Sequence, residues 1–241
     1  MSPNTSQPNL TREQCHEVLR QSTFRFQPPD YGKKYPKWPG AVGLEIEMFP
    51  VQLKGDQIHT VPMYSDTGAQ PSIAGAIRTL AAVEGGKAEF HPDLPGEKLA
   101  RVVLDKGDNI TFEPGGQVEF SSVPYPCLED AVTRMRGMLG NMRKSLMAAG
   151  IEPVQMGVNP WHSPEQIGLQ VPKSRYRAMD EYFTEIGPYG RKMMLSSATV
   201  QVNLDFGDSE AVLAKRYVLS QVLTPASAAT CWYSPFQDGR K

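Results

Sequence analysis

Ala41-Val-Gly-Leu-Glu-Ile-Glu-Met-Phe-Pro50 is the stretch whose reading decides the fold. Val42, Leu44, Ile46 and Met48 fall on one side of an extended chain, and Gly43, Glu45 and Glu47 on the other, because side chains alternate along a strand. The pattern predicts a strand with one apolar and one acidic face. Two residues of rise place the carboxylates about 7 Å apart. At that spacing both can face one cation cluster, and without a cation they repel.

Two later segments repeat the design. In Gln117-Val-Glu-Phe-Ser121, Val118 and Phe120 point one way, and Gln117, Glu119 and Ser121 the other. In Val200-Gln-Val-Asn-Leu-Asp-Phe206, the apolar set is Val200, Val202, Leu204 and Phe206, and the polar set Gln201, Asn203 and Asp205. If the three polar faces coincide, they make an oxygen-donor site for Mg²⁺ or Mn²⁺ rather than Zn²⁺. The other reading is an antiparallel sheet with one face in water. Such a face usually mixes in lysine, and these three hold none. His59, His91 and His162 lie scattered without zinc spacing, and His16 belongs to the first helix. Carboxylate-held Mg²⁺ in turn points to a phosphate-bearing substrate.

The bulk numbers bound the rest. A chain of 241 residues can bury a substantial core. With 25 basic against 26 acidic residues, nothing favours nucleic acid or an anionic membrane. No apolar run approaches a membrane span, and Met1-Ser-Pro-Asn-Thr-Ser-Gln-Pro8 lacks the basic and apolar regions of a secretory signal. Cys15, Cys127 and Cys231 are an odd number at wide spacing, which suits a reducing compartment. The expectation is a cytoplasmic globular protein.

Along the chain, residues 1–8 are expected to be a disordered tail. Asn9 or Thr11 caps a helix to about Ser22 with Cys15, Val18 and Leu19 as its stripe. Phe24 to Gly40, rich in proline, aromatics and lysine, reads as an ordered connection. Lys54-Gly-Asp-Gln57 marks a hairpin turn, Ser72 to Val83 has helical spacing, and Lys87 to Ser122 reads as a β-meander. Pro126 to Gly150 is a helix with Leu128, Val132, Met135, Met138, Met142 and Leu146 as its stripe. Then follow a buried strand (151–158), a helix (174–186), a long strand (192–206) and an internal helix (209–229), with turn composition over 234–241. Cys127 and Cys231 read as core residues. Hairpins and a meander imply α+β, with a curved antiparallel sheet and helices on one face. Pro114-Gly-Gly116 lets backbone approach a ligand, but lacks the following Lys-Ser/Thr of a P-loop. Lys173-Ser-Arg-Tyr176 and Arg191-Lys192 are basic clusters, in which an arginine can fork onto a carboxylate or simply decorate a surface.

The blocks taken in order resemble the glutamate–cysteine ligases of plant and proteobacterial type, which include the actinobacterial ligases of ergothioneine synthesis. Gly43-Leu-Glu-Ile-Glu47 resembles the family's Gly-x-Glu-x-Glu strand, and Glu113-Pro-Gly-Gly-Gln-Val-Glu-Phe-Ser121 its Glu-Pro-Gly-Gly-Gln-x-Glu-x-Ser motif. Pro172-Lys-Ser-Arg-Tyr-Arg-Ala-Met179, Met193-Met194, Thr199-Val-Gln-Val-Asn-Leu-Asp-Phe206 and Ser234-Pro-Phe236 continue the series. The resemblance implies a glutamine-synthetase-like catalytic domain, a funnel that binds ATP and Mg²⁺ (or Mn²⁺). The implied reaction joins the γ-carboxylate of glutamate to the amine of cysteine through an acyl phosphate, as in glutathione or ergothioneine synthesis. It assigns Glu45, Glu47 and Glu119 to the metal, with Glu113 as a fourth acid. Gln201 and Asn203 go to the nucleotide or acyl phosphate or complete a metal's shell, Gly115 and Gly116 go to the nucleotide, and Arg175 becomes the carboxylate clamp.

Two departures bear on this expectation. Family members run considerably further, so residues 1–241 correspond to one domain that is the N-terminal part of theirs. A C-terminal half or a homo-oligomer would then complete the funnel, and a truncated non-catalytic homologue is an alternative. Plant-type enzymes also carry Phe-Arg-Thr where this chain has Leu195-Ser-Ser197. That difference leans toward the ergothioneine type or another carboxylate–amine ligase with a different amine acceptor.

Overall fold

Strand β1 (Val42–Lys54) is the spine of the molecule. In the computed structural model, which describes residues 11–19, 33, 40–65 and 70–231, β1 pairs antiparallel with four other strands. Its first half lies against β6 (Val118–Ser121) and β8 (Val200–Leu204). Its second half pairs with β2 (Gln57–Thr60) and β7 (Glu152–Val154). The meander β3 (Lys87–Phe90), β4 (Leu99–Val103) and β5 (Asn109–Phe112) continues from β6, giving the order β2-β1-β6-β5-β4-β3 in an eight-stranded sheet. The class is α+β with an antiparallel sheet, as the hairpin signals imply. The tail at 1–8, most of the 24–40 connection and the Ser234-Pro-Phe236 block lie outside the described residues.

The alternation in β1 is realised. Val42, Leu44, Ile46 and Met48 are buried, whereas Glu45 and Glu47 are half-buried on the opposite face. Two helices close over the apolar face. Helix α2 (Ile73–Glu84) starts at Ser72, whose hydroxyl accepts from the Gly75 N–H, and stops at Gly85 in the left-handed conformation. It buries Ile73, Ala74, Ile77 and Leu80 against Ile110, Phe112, Val118 and Phe120 of the sheet. Helix α3 (Leu128–Ala148) adds Met138, Met142 and Leu146. Each large side chain fully withdrawn from water stabilises by about 1.5–3 kcal/mol, so this single cluster dominates folding. Leu128, expected in the buried stripe of α3, is exposed. Ala131 takes the core position in its place, against Val42 and Leu44.

Around this core sit α1 (Arg12–Val18), α4 (Pro164–Ile167), α5 (Ser174–Ile186) and α6 (Pro188–Ser196). The chain ends its described part in α7 (Glu210–Cys231). Thr11 caps α1, which buries none of its residues, Cys15 and Val18 included, and Leu19 just beyond it is exposed as well. Helix α5 matches its expected bounds.

Several expectations are overturned. Residues 192–206 are not one strand: Pro188 opens α6, which buries Met194 and Leu195, and the extended part is only Val200–Leu204. Proline in the first turn favours a helix start, and the Met-Met-Leu run packs as a helical side rather than alternating. The buried strand at 151–158 shrinks to Glu152–Val154, with Met156 exposed. The apolar set of β8 is not covered, since Val200, Val202 and Leu204 are 54–67% exposed. Helix α7 was expected to be internal, yet buries no residue. Cys231 is exposed and Cys127 only half-buried, its thiol donating to the Asp130 carboxylate, so neither is a core residue.

Candidate active site on the polar face of the sheet

The register lays the expected acids out in rows. Glu47 of β1 is directly opposite Glu119 of β6, and Glu119 is opposite Thr111 of β5. A second row runs Gln201, Glu45, Ser121, Asn109 across β8, β1, β6 and β5. Three strands distant in sequence thus bring Glu45, Glu47, Glu119 and Gln201 onto one face. Asn203 joins them by donating its Nδ2–H to Glu45 Oε1 at 2.8 Å.

Each carboxylate has a partner that fixes its orientation. Thr199 donates to Glu47 twice, from its hydroxyl at 2.8 Å and its backbone N–H at 3.1 Å. Gln201 donates to the Thr199 hydroxyl in turn. Glu119 accepts from Thr111 Oγ1 at 3.0 Å and from the Ser121 hydroxyl. The sequence reading missed Thr111 and Thr199. The signal was present, since Thr199 shares parity with Gln201 and Thr111 alternates with buried Ile110 and Phe112.

The electrostatics follow from crowding like charges. Burial raises the Glu47 pKa above its ordinary value, with Glu119 and Glu45 adding to the rise and Thr199 opposing it. Glu113, at the turn leading out of β5, is pushed up to about 7 by burial, by the charge and hydrogen-bond contact of Glu119, and by the charge of Glu47. The charge of Glu119 thus acts on both Glu113 and Glu47. Among the described residues no three His, Cys, Asp or Glu side chains converge as a metal sphere would require. The donors are nevertheless all oxygen and their mutual repulsion is one a hard cation would relieve, so their chemistry fits Mg²⁺ or Mn²⁺ better than a softer metal.

Other expected residues sit elsewhere. Gln117 does not share the open face: it is 2% exposed and donates to the Ser197 carbonyl at 2.7 Å, tying the β5–β6 turn to the end of α6. Asp205 is likewise turned inward, accepting from Ala41 N, Gly207 N and the Arg216 guanidinium. Gly115 and Gly116, assigned to nucleotide, have a packing reason to be glycine. A Cβ on Gly115 would lie 2.4 Å from the Leu195 carbonyl oxygen, and Gly116 has φ +84° against Ile73 and Gln170. Arg175 is exposed with its guanidinium 5.1 Å from the centre of the Tyr176 ring. Lys173, whose Nζ lies 3.9 Å over the same ring, lines a cavity together with Glu113.

An antiparallel sheet packed on two helices, with carboxylates and amides in rows on its other face, defines an α+β protein whose candidate site is acidic and oxygen-rich. Residues 41–241 match the family described as glutamate-cysteine ligase family 2 (GCS2), and the chain belongs to it. The chloroplastic glutamate–cysteine ligase of Brassica juncea is 32% identical over 209 residues, covering 86% of this chain and 37% of that protein. The Arabidopsis thaliana enzyme is 33% identical over 200 residues, covering 83% and 35% respectively. Glutamate–cysteine ligase EgtA of Mycobacterium tuberculosis (strain ATCC 25618 / H37Rv) is 37% identical over 139 residues, 57% of this chain and 31% of that one. The chain thus spans about a third of the length of the curated relatives it matches. Among the described residues no helix is long and apolar enough to cross a membrane.

Proposed function

We propose that the polar sheet face serves an ATP- and Mg²⁺-dependent ligation of the γ-carboxylate of glutamate to the amine of cysteine, within a glutamine-synthetase-like funnel. The observation that carries the reading is the opposition of Glu47 and Glu119 across β1 and β6, with Glu113 close enough to be pushed up to about 7. Family membership and the names of the relatives support the ligase class.

In this reading Glu45, Glu47, Glu119 and Glu113 would each offer an oxygen ligand to Mg²⁺, and the chemistry it would supply is neutralisation of the triphosphate and of the charge of in-line transfer. A γ-carboxylate oxygen of glutamate attacks the terminal phosphorus, ADP departs, and an acyl phosphate forms. The amine of cysteine then adds to the acyl carbon, phosphate leaves, and the amine sheds a proton. Thr199, Thr111 and Ser121 keep the carboxylate oxygens aimed at the face. Gln201 and Asn203 stand on the same face as donors to nucleotide or acyl phosphate. A second reading is favoured by the uncovered apolar side of β8: the face is one part of a larger site, completed by further polypeptide or by another copy.

The test is ADP release by the 241-residue chain from Mg–ATP, with glutamate alone and with cysteine or other amines added. Release that needs both glutamate and cysteine is the expected result. Release with another amine keeps the chemistry and changes the acceptor. A folded chain that releases no ADP favours the second reading.

A further inference from the structure

Gln117 is withdrawn from water, and its two ends are treated unequally. Its Nε2 donates to the Ser197 carbonyl at 2.7 Å and lies 3.5 Å from the Met194 carbonyl. Its Oε1 is buried and among the described residues has no hydrogen-bond partner. Turning the amide over would set that oxygen against two carbonyl oxygens, so chemistry fixes its orientation. A buried acceptor left unpaired opposes folding, and a methionine would fill the same space without one. What the glutamine adds is the N–H contact alone. We propose that Gln117 is a positioning residue, which by capping the end of α6 sets Thr199 and through it the Glu47 carboxylate opposite Glu119. Calling that placement catalytic rests on the ligase reading above.

A continuous set of contacts carries the effect. The last carbonyls of a helix have no partner within it. In α6 the Met193 carbonyl accepts from the Ser197 hydroxyl, the Met194 carbonyl faces Gln117, and the Ser196 carbonyl accepts from the Asn159 N–H at 2.8 Å. Ser197 is the pivot at which α6 turns into the extended approach to β8, with φ −111° and ψ 151°. Ala198 then donates its N–H to the Gly157 carbonyl at 3.1 Å. Thr199 joins β1 through three bonds. Its carbonyl accepts from the Glu47 N–H at 2.9 Å, and its N–H and hydroxyl donate to the Glu47 carboxylate at 3.1 and 2.8 Å. Gln117 itself directly precedes β6, whose Glu119 lies opposite Glu47. One contact therefore joins the strand that carries Glu119 to the segment that aims Glu47. Without it the Ser197 carbonyl loses its donor, and the pivot is free to shift against β1.

Hydrogen exchange of the metal-free 241-residue chain, followed by NMR at the Glu47 and Thr199 amides, tests this with Gln117→Met, which keeps the bulk and removes the donor. Relative to the amides of α2, exchange at both positions should speed up tenfold or more. Ile77→Val, which weakens the core away from the site, should cause no such selective change and should leave ADP release as it is. Outer partners of a metal-ligating side chain are worth tenfold or more in activity, so kcat for ADP release should fall by that much in Gln117→Met. Thr199→Val, which removes the hydroxyl, should lower it too. Because both act along one path, the double variant should fall no further than the worse single one. Circular dichroism checks folding, and Gln117→Asn, one methylene short of Ser197, makes the same comparison if the methionine variant does not fold. A folded Gln117→Met chain with no selective exchange at Glu47 and Thr199, or losses that add fully with Thr199→Val, overturns the positioning role. The two proposals fail separately. Selective exchange in a chain whose wild type releases no ADP keeps the positioning and removes the ligase reading, whereas ADP release by Gln117→Met at the wild-type rate does the reverse.

Discussion

Glu47 on β1 and Glu119 on β6 are direct cross-strand partners, two carboxylates opposed on one face of the sheet. Like charges so placed destabilise a sheet by about 0.2–1 kcal/mol. The neighbourhood sustains the opposition instead of removing it: Thr199 grips Glu47, and Thr111 and Ser121 grip Glu119. A sheet selected for stability alone would place a threonine or lysine at one of these positions. The arrangement is a stored repulsion, and the donors around it keep the oxygens oriented while it persists.

Glu119→Gln separates stability from function. The amide oxygen can still accept from Thr111 and Ser121, and the new N–H₂ can donate to Glu47. The metal-free variant should be more resistant to urea by about 0.5 kcal/mol, with ADP release reduced a hundredfold or more. A variant less stable than the wild type would mean that the pair is not repulsive in the folded chain.

Glu113 should make stability depend on pH in a direction opposite to most acids. Its pKa is about 7 in the folded chain against an ordinary 4.5, so the folded state holds its proton more tightly than the unfolded one. Its contribution is fully present below 4.5 and is lost as pH rises through about 7. Because the group is partly exposed, the effect is small, about 1 kcal/mol after solvent screening. Urea midpoints of the metal-free chain should fall between pH 5 and pH 8, and Glu113→Gln should flatten that part of the profile. An unchanged slope in the variant would assign the dependence to other groups.

The fold was legible where local pattern and tertiary role agree. The alternation of Val42 to Met48 marked the central strand, and Ser72 and Gly85 bracket α2 as cap chemistry demands. The acids of the site were legible for the same reason, since period two fixes a face. Period two misled where a polar side chain has an inward partner. Gln117 and Asp205 have the parity of the open face, yet the Ser197 carbonyl draws one inward and Arg216 with Ala41 the other. Helix α7 misled because apolar composition predicts burial only when something stands opposite, and no residue of it is buried here. Lys173 was not singled out from Arg175 because sequence spacing cannot tell which of two nearby cations faces a cavity.

Gly115→Ala tests the packing reason for the double glycine. Its Cβ would sit 2.4 Å from the Leu195 carbonyl oxygen and 2.8 Å from Gln117 Oε1. Backbone cannot yield as a flexible side chain can, so the end of α6 must move. We expect a loss of about 1–3 kcal/mol, read in the urea midpoint. Thr199 follows α6 directly, so its hold on Glu47 should loosen and ADP release fall with stability. A fully stable variant with impaired nucleotide binding would instead favour a direct contact of Gly115 with nucleotide.

The exposed apolar side of β8 should govern how the chain behaves in solution. Val200, Val202 and Leu204 are 67%, 56% and 54% exposed on a strand whose polar side chains belong to the candidate site. Tyr217, Val218 and Val222 of α7 are exposed to a similar degree. Apolar groups concentrated in this way associate in water, and β8, which among the described residues pairs with β1 alone, offers main-chain partners along its other edge as well. The 241-residue chain should therefore sediment with an average mass that rises with concentration. Val202→Lys together with Leu204→Lys should lower that mass toward the monomer while leaving circular dichroism and the urea midpoint nearly unchanged, because neither side chain contributes to the core. If the double variant associates as the wild type does, the contact lies elsewhere, and α7 becomes the next surface to substitute.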